Sequence, residues 1–130
     1  MAREEAAMTD GTTIEPEDLT ETLLAVAGGA HERLTVVSPV VEPAALEALR
    51  EVLRPGVEIE VITTLGSHQR IVAADRSVAV ILSTNLTAAG TGLGWIEPGE
   101  DEEPRRPNIE SGYSFRGAGT VEKLLAAISS

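Results

Sequence analysis

The chain has 130 residues, 42% of them hydrophobic, no cysteine, and a formal charge of −11 from 21 acidic against 10 basic side chains. That length holds one domain around a single core. The absence of thiols excludes disulfide frameworks and cysteine-ligated metals, and the acidic balance opposes nonspecific binding to nucleic acid at ordinary salt.

The only aromatic residues are Trp95, Tyr113 and Phe115, so the core has to be built from Ala, Val, Leu and Ile. This suits a sheet covered by helices. No run approaches the roughly 18 apolar residues of a membrane span, and residues 1–10 are polar and charged, which predicts a soluble, cytoplasmic protein with no leader. Lysine occurs only at Lys123. Acidic, lysine-poor surfaces resemble those of halophilic proteins, and in molar salt, where the screening length falls to about 3 Å, net charge no longer excludes nucleic acid. Acidic proteins from GC-rich genomes have a similar composition, and both origins stay open.

In chain order, residues 1–14 lack apolar periodicity and are expected to form a flexible tail ahead of a single domain at 15–130. Pro16, Glu17 and Asp18 suit a first helical turn, Leu19, Leu23 and Val26 recur at helical spacing, and Gly28-Gly29 ends the helix. The β-branched run Leu34 to Val37 reads as a buried strand stopped at Ser38-Pro39. Pro43 opens a second helix with Leu46, Leu49, Val52 and Leu53 on one face, and Pro55-Gly56 closes it. Val57 to Thr63 alternates as a strand, so residues 34–63 read as a parallel strand–helix–strand crossover. Two closely linked strands follow, Gln69 to Ala73 and Ser77 to Leu82, whose turn at Asp75-Arg76 predicts an antiparallel hairpin. Residues 87–107, with four glycines, three prolines and the acidic run Glu100 to Glu103, read as a long surface loop. Gly112 to Phe115 is a last short strand, and Thr120 to Ile128 a closing helix.

The chemistry-bearing residues gather around the hairpin. Alternation puts His68 and Arg70 on one strand face, and Ser83 and Asn85 on one face of the next. Imidazole can attack phosphorus or carry protons, guanidinium can hold two phosphate oxygens, and the hydroxyl and amide add neutral donors. Other features are bland. His31 reads as a solvated loop residue, and Asn85-Leu86-Thr87 as an accidental glycosylation sequon. Gly90 to Gly94 reads as a flexible turn lacking the lysine of a P-loop, and the acidic run as a solvated face with Arg105 and Arg106 offsetting it.

This pattern resembles the phospholipase D superfamily, whose signature (the HKD motif) is His-x-Lys, four residues, then Asp, followed on the next strand by Gly-Ser-x-Asn. His68, Arg70 and Asp75 fall at that spacing, Ser83 and Asn85 match the second element, and Asn108-Ile109-Glu110 matches a later Asn-x-Glu. The motif residues lie in 67–87 and 108–115, and the topology is similar over roughly residues 33–128. The resemblance implies an α/β fold, a mixed β-sheet flanked by helices. It implies His68 as the nucleophile of a phosphohistidine, Arg70 in the phosphate-binding place of lysine, and Ser83 and Asn85 on the phosphoryl oxygens. Glu110 would orient and polarise His68, and Asp75 would hold the turn. Neither a cofactor nor a metal is implied. Superfamily enzymes face two such motifs across one site, so a single copy implies a homodimer.

This sequence departs from the pattern in three ways. Arg70 replaces lysine, Leu82 replaces the glycine that allows close approach, and the span from the Val57 strand to His68 is too short for another helix and strand. Two expectations stand beside each other: a metal-independent phosphodiesterase or nuclease-like hydrolase, and a catalytically degenerate module that binds an anionic ligand or a partner protein in a regulatory role. A third makes the chain a dimerisation module with an empty cleft. In every case nucleic acid is a ligand only at high salt.

Overall fold

A computed structural model describes residues 11–63, 70–96, 98–101, 103 and 106–129. Among these residues six strands form one sheet: β1 (Thr12–Ile14), β2 (Arg33–Val37), β3 (Glu58–Ile62), β4 (Ile71–Ala74), β5 (Val78–Leu82) and β6 (Gly112–Arg116), in the spatial order β1-β6-β5-β4-β2-β3. The pair β2–β3 is parallel and the other neighbours are antiparallel. Among the described residues four helices accompany the sheet: α1 (Pro16–Gly28), α2 (Pro43–Glu51), α3 (Ala88–Thr91) and α4 (Ala118–Ser129). This is the mixed α/β architecture that the sequence predicts. Among the described residues no helix is long and apolar enough to cross a membrane.

Side-chain alternation divides the core in two. Leu34 and Val36 of β2, Val72 and Ala74 of β4, and Val80 and Leu82 of β5 face α1 and α2 in the larger cluster. Their neighbours Val37, Ile71, Ala73 and Ala79 face Val121, Leu124 and Leu125 of α4 in the smaller one. Helix α1 buries Leu19, Leu23 and Ala27, each four residues apart, and α2 buries Ala45 and Leu49. Full burial of one such leucine contributes about 1.5–3 kcal/mol. Both helices begin with proline in the first turn, where its missing N–H costs no hydrogen bond.

The expected hairpin is present, with Ile71 opposite Ile81 and Ala74 opposite Val78. The expected crossover is also present, with Leu34 beside Ile59 and Val36 beside Val61.

Two readings need correction. The predicted tail extended through Ile14, but Thr12–Ile14 forms the edge strand β1 against β6, with Ile14 opposite Gly112 and only 5% exposed. Three residues are too few to show a period, and β1 owes its conformation to the ladder that β6 offers. The predicted long loop contains α3. The Thr87 hydroxyl accepts from the Gly90 amide at 3.0 Å as an N-cap, and Gly92, at φ 78°, ends the turn in the left-handed region.

Candidate functional site

The β4–β5 hairpin positions the candidate groups by placing the residue before β4 next to those just after β5. The Leu82 amide donates to the Arg70 carbonyl at 2.7 Å, which extends the ladder by one step. Beyond it, Arg70 Nε donates to Asn85 Oδ1 at 2.7 Å, both residues being half-buried. Two of the predicted site residues, 15 positions apart in the chain, therefore meet directly. The bond uses the Nε edge of the guanidinium and fixes its plane, and it sets the Asn85 amide with its oxygen toward Arg70.

Ser83 is next to this pair in sequence but is differently engaged. Its hydroxyl donates to the Ser111 carbonyl at 2.8 Å and its amide to the same oxygen at 3.2 Å, stitching the end of β5 to the start of β6. Glu110 is exposed, and its amide donates to the Gly90 carbonyl at 2.9 Å, so α3 anchors the segment that carries it. Behind α3, the Thr20 hydroxyl donates to the Thr91 carbonyl at 2.7 Å and the Glu42 carboxylate accepts the Ala88 amide at 2.6 Å. The predicted nucleophile His68 lies outside the described residues, as do Gln69 and Arg105.

Leu82 does not project into an open cleft. It is 4% exposed and packs in the larger core with Leu86 and Leu93, so its bulk is spent on packing. Nearby Ser38, fully buried, donates to the Val40 carbonyl at 2.6 Å and accepts from the Leu86 amide at 3.1 Å, tying the exit of β2 to the chain leaving β5. Sequence reading assigned Ser38 only a strand end. The long-range bond to Leu86 has no signature in spacing.

Asp75 occupies the other end of the hairpin, at φ 55°. Its carboxylate accepts the amides of His31, Glu32 and Arg33 at 3.0, 2.7 and 3.0 Å, binding the β4–β5 turn to the entry of β2. Partial burial pushes this carboxyl up, but the amides of Arg33, His31 and Glu32 and the nearby His31 ring outweigh it, and the net direction is below the usual aspartate value. His31 is exposed, with Nδ1 3.5 Å from the Arg54 guanidinium.

A cavity of about 1230 Å³ opens elsewhere, between α4 and the β2–β3 side of the sheet, and Arg70, Ser83, Asn85 and Glu110 are not among its lining residues. Among the described residues no three or more His, Asp or Glu side chains group in a way that could hold a metal ion.

Comparison with family models finds no match. Comparison with curated protein sequences finds none either. Among solved structures the fold is similar to NucT from Helicobacter pylori, with a TM-score of 0.58 and 10% sequence identity over 91% of this chain and 92% of that chain. At that identity the likeness concerns the fold.

Proposed function

We propose that the chain is a phospholipase D-like phosphodiesterase or nuclease-like hydrolase that works as a homodimer through a phosphohistidine on His68. The observation that carries this reading is the Arg70–Asn85 hydrogen bond across the ends of β4 and β5, within a fold shared with NucT, a nuclease of the phospholipase D superfamily. A guanidinium fixed in plane by a neutral amide holds its positive charge in one geometry, which suits an anionic phosphate group.

In the proposed reaction, an imidazole nitrogen of His68 forms a bond to phosphorus as the bond from phosphorus to the leaving oxygen breaks. The partner subunit's His68 gives that oxygen its proton. Water then attacks phosphorus as the bond from phosphorus to His68 breaks, the partner subunit's His68 takes up the water's proton, and a phosphate monoester is released. Arg70 and Asn85 stabilise the phosphoryl oxygens as charge builds on them, and Glu110 orients His68. The charge of −11 sets the conditions: a polyanionic nucleic acid is accommodated only when salt screens that charge, whereas a small phosphodiester is not so restricted.

The second reading, a non-catalytic module for an anionic ligand or partner, is favoured by the Ser83 hydroxyl being engaged with Ser111 and by Leu82 filling the core. Hydrolysis of bis(p-nitrophenyl) phosphate, and of single-stranded DNA across a salt series, separates the two. Turnover that survives EDTA and disappears in His68→Ala supports the enzyme. Phosphate binding weakened by Arg70→Ala, without turnover, supports the module.

A further inference from the structure

Ser83 makes two hydrogen bonds to one acceptor. Its hydroxyl, at 2.8 Å, and its amide, at 3.2 Å, both donate to the Ser111 carbonyl oxygen. A hydroxyl carries a single proton. Once that proton is given to Ser111, the Ser83 oxygen offers only lone pairs to whatever stands in the site, and a phosphoryl oxygen needs a donor. Asn85 differs, because its carbonyl oxygen takes the Arg70 Nε proton at 2.7 Å and leaves the NH2 group to donate.

The acceptor stands next to Glu110. The last ladder pair of β5 and β6 is Leu82 with Gly112, and the two bonds from Ser83 carry the pairing one residue further, to the carbonyl that follows Glu110. On the other side of Glu110, its own amide donates to the Gly90 carbonyl of α3 at 2.9 Å. Gly90 packs so closely on the buried Thr84 that a Cβ there would overlap the threonine hydroxyl. Two consecutive residues therefore bracket the Glu110 backbone, Ser83 through Ser111 and Thr84 through α3. The Glu110 side chain is exposed and long, so its direction depends on how firmly that backbone is held.

We infer that Ser83 is a positioning residue, which sets the Glu110 carboxylate relative to the Arg70–Asn85 pair and gives no hydrogen bond to phosphate; this rests on the proposal that Glu110 orients His68. Arg70 and the Asn85 amide then meet the phosphate, and Ser83 contributes to rate rather than to binding. A displacement of the carboxylate by a fraction of a turn of its side chain is enough to lose the imidazole, since catalytic groups act only in a narrow range of positions. The Ser83 amide bond to Ser111 does not need the side chain, so Ser83→Ala keeps the strand pairing and removes only the second anchor.

The test pairs inorganic phosphate binding with NMR titration of the imidazoles, which His31 and His68 alone supply. Ser83→Ala should bind phosphate within about twofold of wild type, whereas Arg70→Ala should lose about tenfold or more, as for a charge-assisted hydrogen bond. Ser83→Ala should also lower the midpoint of His68 protonation, in the same direction as Glu110→Gln, because a displaced carboxylate no longer favours the imidazolium. His31, at the far end of the hairpin beside Asp75, should titrate unchanged in both. Ser83→Thr, which returns the hydroxyl, should restore the midpoint. With bis(p-nitrophenyl) phosphate, Ser83→Ala should lower kcat about tenfold or more and leave KM unchanged. A loss of phosphate affinity in Ser83→Ala to match that of Arg70→Ala would make Ser83 a phosphate ligand and overturn the inference, and so would a His68 midpoint that moves in Glu110→Gln but not in Ser83→Ala. A midpoint indifferent to Glu110→Gln would refute the role of Glu110 itself, a separate failure that takes this inference with it. Absence of turnover in wild type would refute the hydrolase and leave the two binding and titration results to decide the role of Ser83.

Discussion

Replacing Asp75 tests how the β4–β5 turn is held. Three amides converge on its carboxylate at 2.7–3.0 Å, and its backbone sits at φ 55°. Hydrogen bonds to a charged group contribute about 1.5–3 kcal/mol when buried; discounted for the solvent around these partners, roughly 0.7 kcal/mol each is reasonable, or about 2 kcal/mol for the set. A Cβ-bearing residue with no local hydrogen bond adds about 1 kcal/mol of left-handed strain. Asp75→Ala should therefore cost about 3 kcal/mol and Asp75→Gly about 2. Asp75→Asn, which keeps an oxygen for Glu32 and Arg33 and tolerates this backbone, should cost about 1.

The folded carboxyl is shifted below its unfolded value of 3.8. Its charge-dependent stabilisation is thus fully present above that value and lost as pH falls through the lowered folded value. Urea unfolding followed by circular dichroism at neutral pH should reproduce the order Asn, Gly, Ala. The gap between wild type and Asp75→Asn should narrow on acidification below 3.8. An Ala variant within about 0.5 kcal/mol of wild type, or a gap that ignores pH, would refute the reasoning.

Ser38→Ala removes a fully buried hydroxyl and leaves the Leu86 amide unpaired, which should cost about 2 kcal/mol and lower the urea midpoint without changing the slope. Gly90→Ala would bring a Cβ within 2.1 Å of Thr84 Oγ1 and should destabilise by about 1–3 kcal/mol. Thr84→Ala in the same chain should recover part of that loss in thermal melts, and no recovery would place the clash elsewhere. Leu23→Ala, at a fully buried position of α1, should cost about 2–5 kcal/mol, read as a loss of cooperative unfolding or a large drop in midpoint.

Periodicity made much of this fold legible. The run Leu34 to Val37, the leucines of α1 and α2, and the tight Asp75-Arg76 link each carry their own local signal, and the strands and helices lie within a few residues of where those signals put them. What periodicity could not give were structures made by partners. Thr12–Ile14 is a strand because β6 is there to pair with it, and α3 forms where a threonine cap, a left-handed glycine and the Glu42 carboxylate coincide. At the candidate site, two-residue alternation pointed to Arg70 and Asn85 as neighbours, and they are hydrogen-bonded just beyond the adjoining ends of β4 and β5. Alternation could not say that the Ser83 hydroxyl turns to Ser111, because that choice depends on where the chain re-enters β6.

The pairing of Thr12 with Ser114 joins residues 102 positions apart. Contacts so distant in sequence carry the largest loop-closure cost, while the β4–β5 hairpin and the β2-α2-β3 unit close over short spans. Assembly should therefore begin in the middle of the chain and spread outward, with β1 docking last as a latch on a sheet already built. In the native protein the same strand should be the first to open, and its amides the first to exchange with solvent, well below the free energy that unfolds the rest.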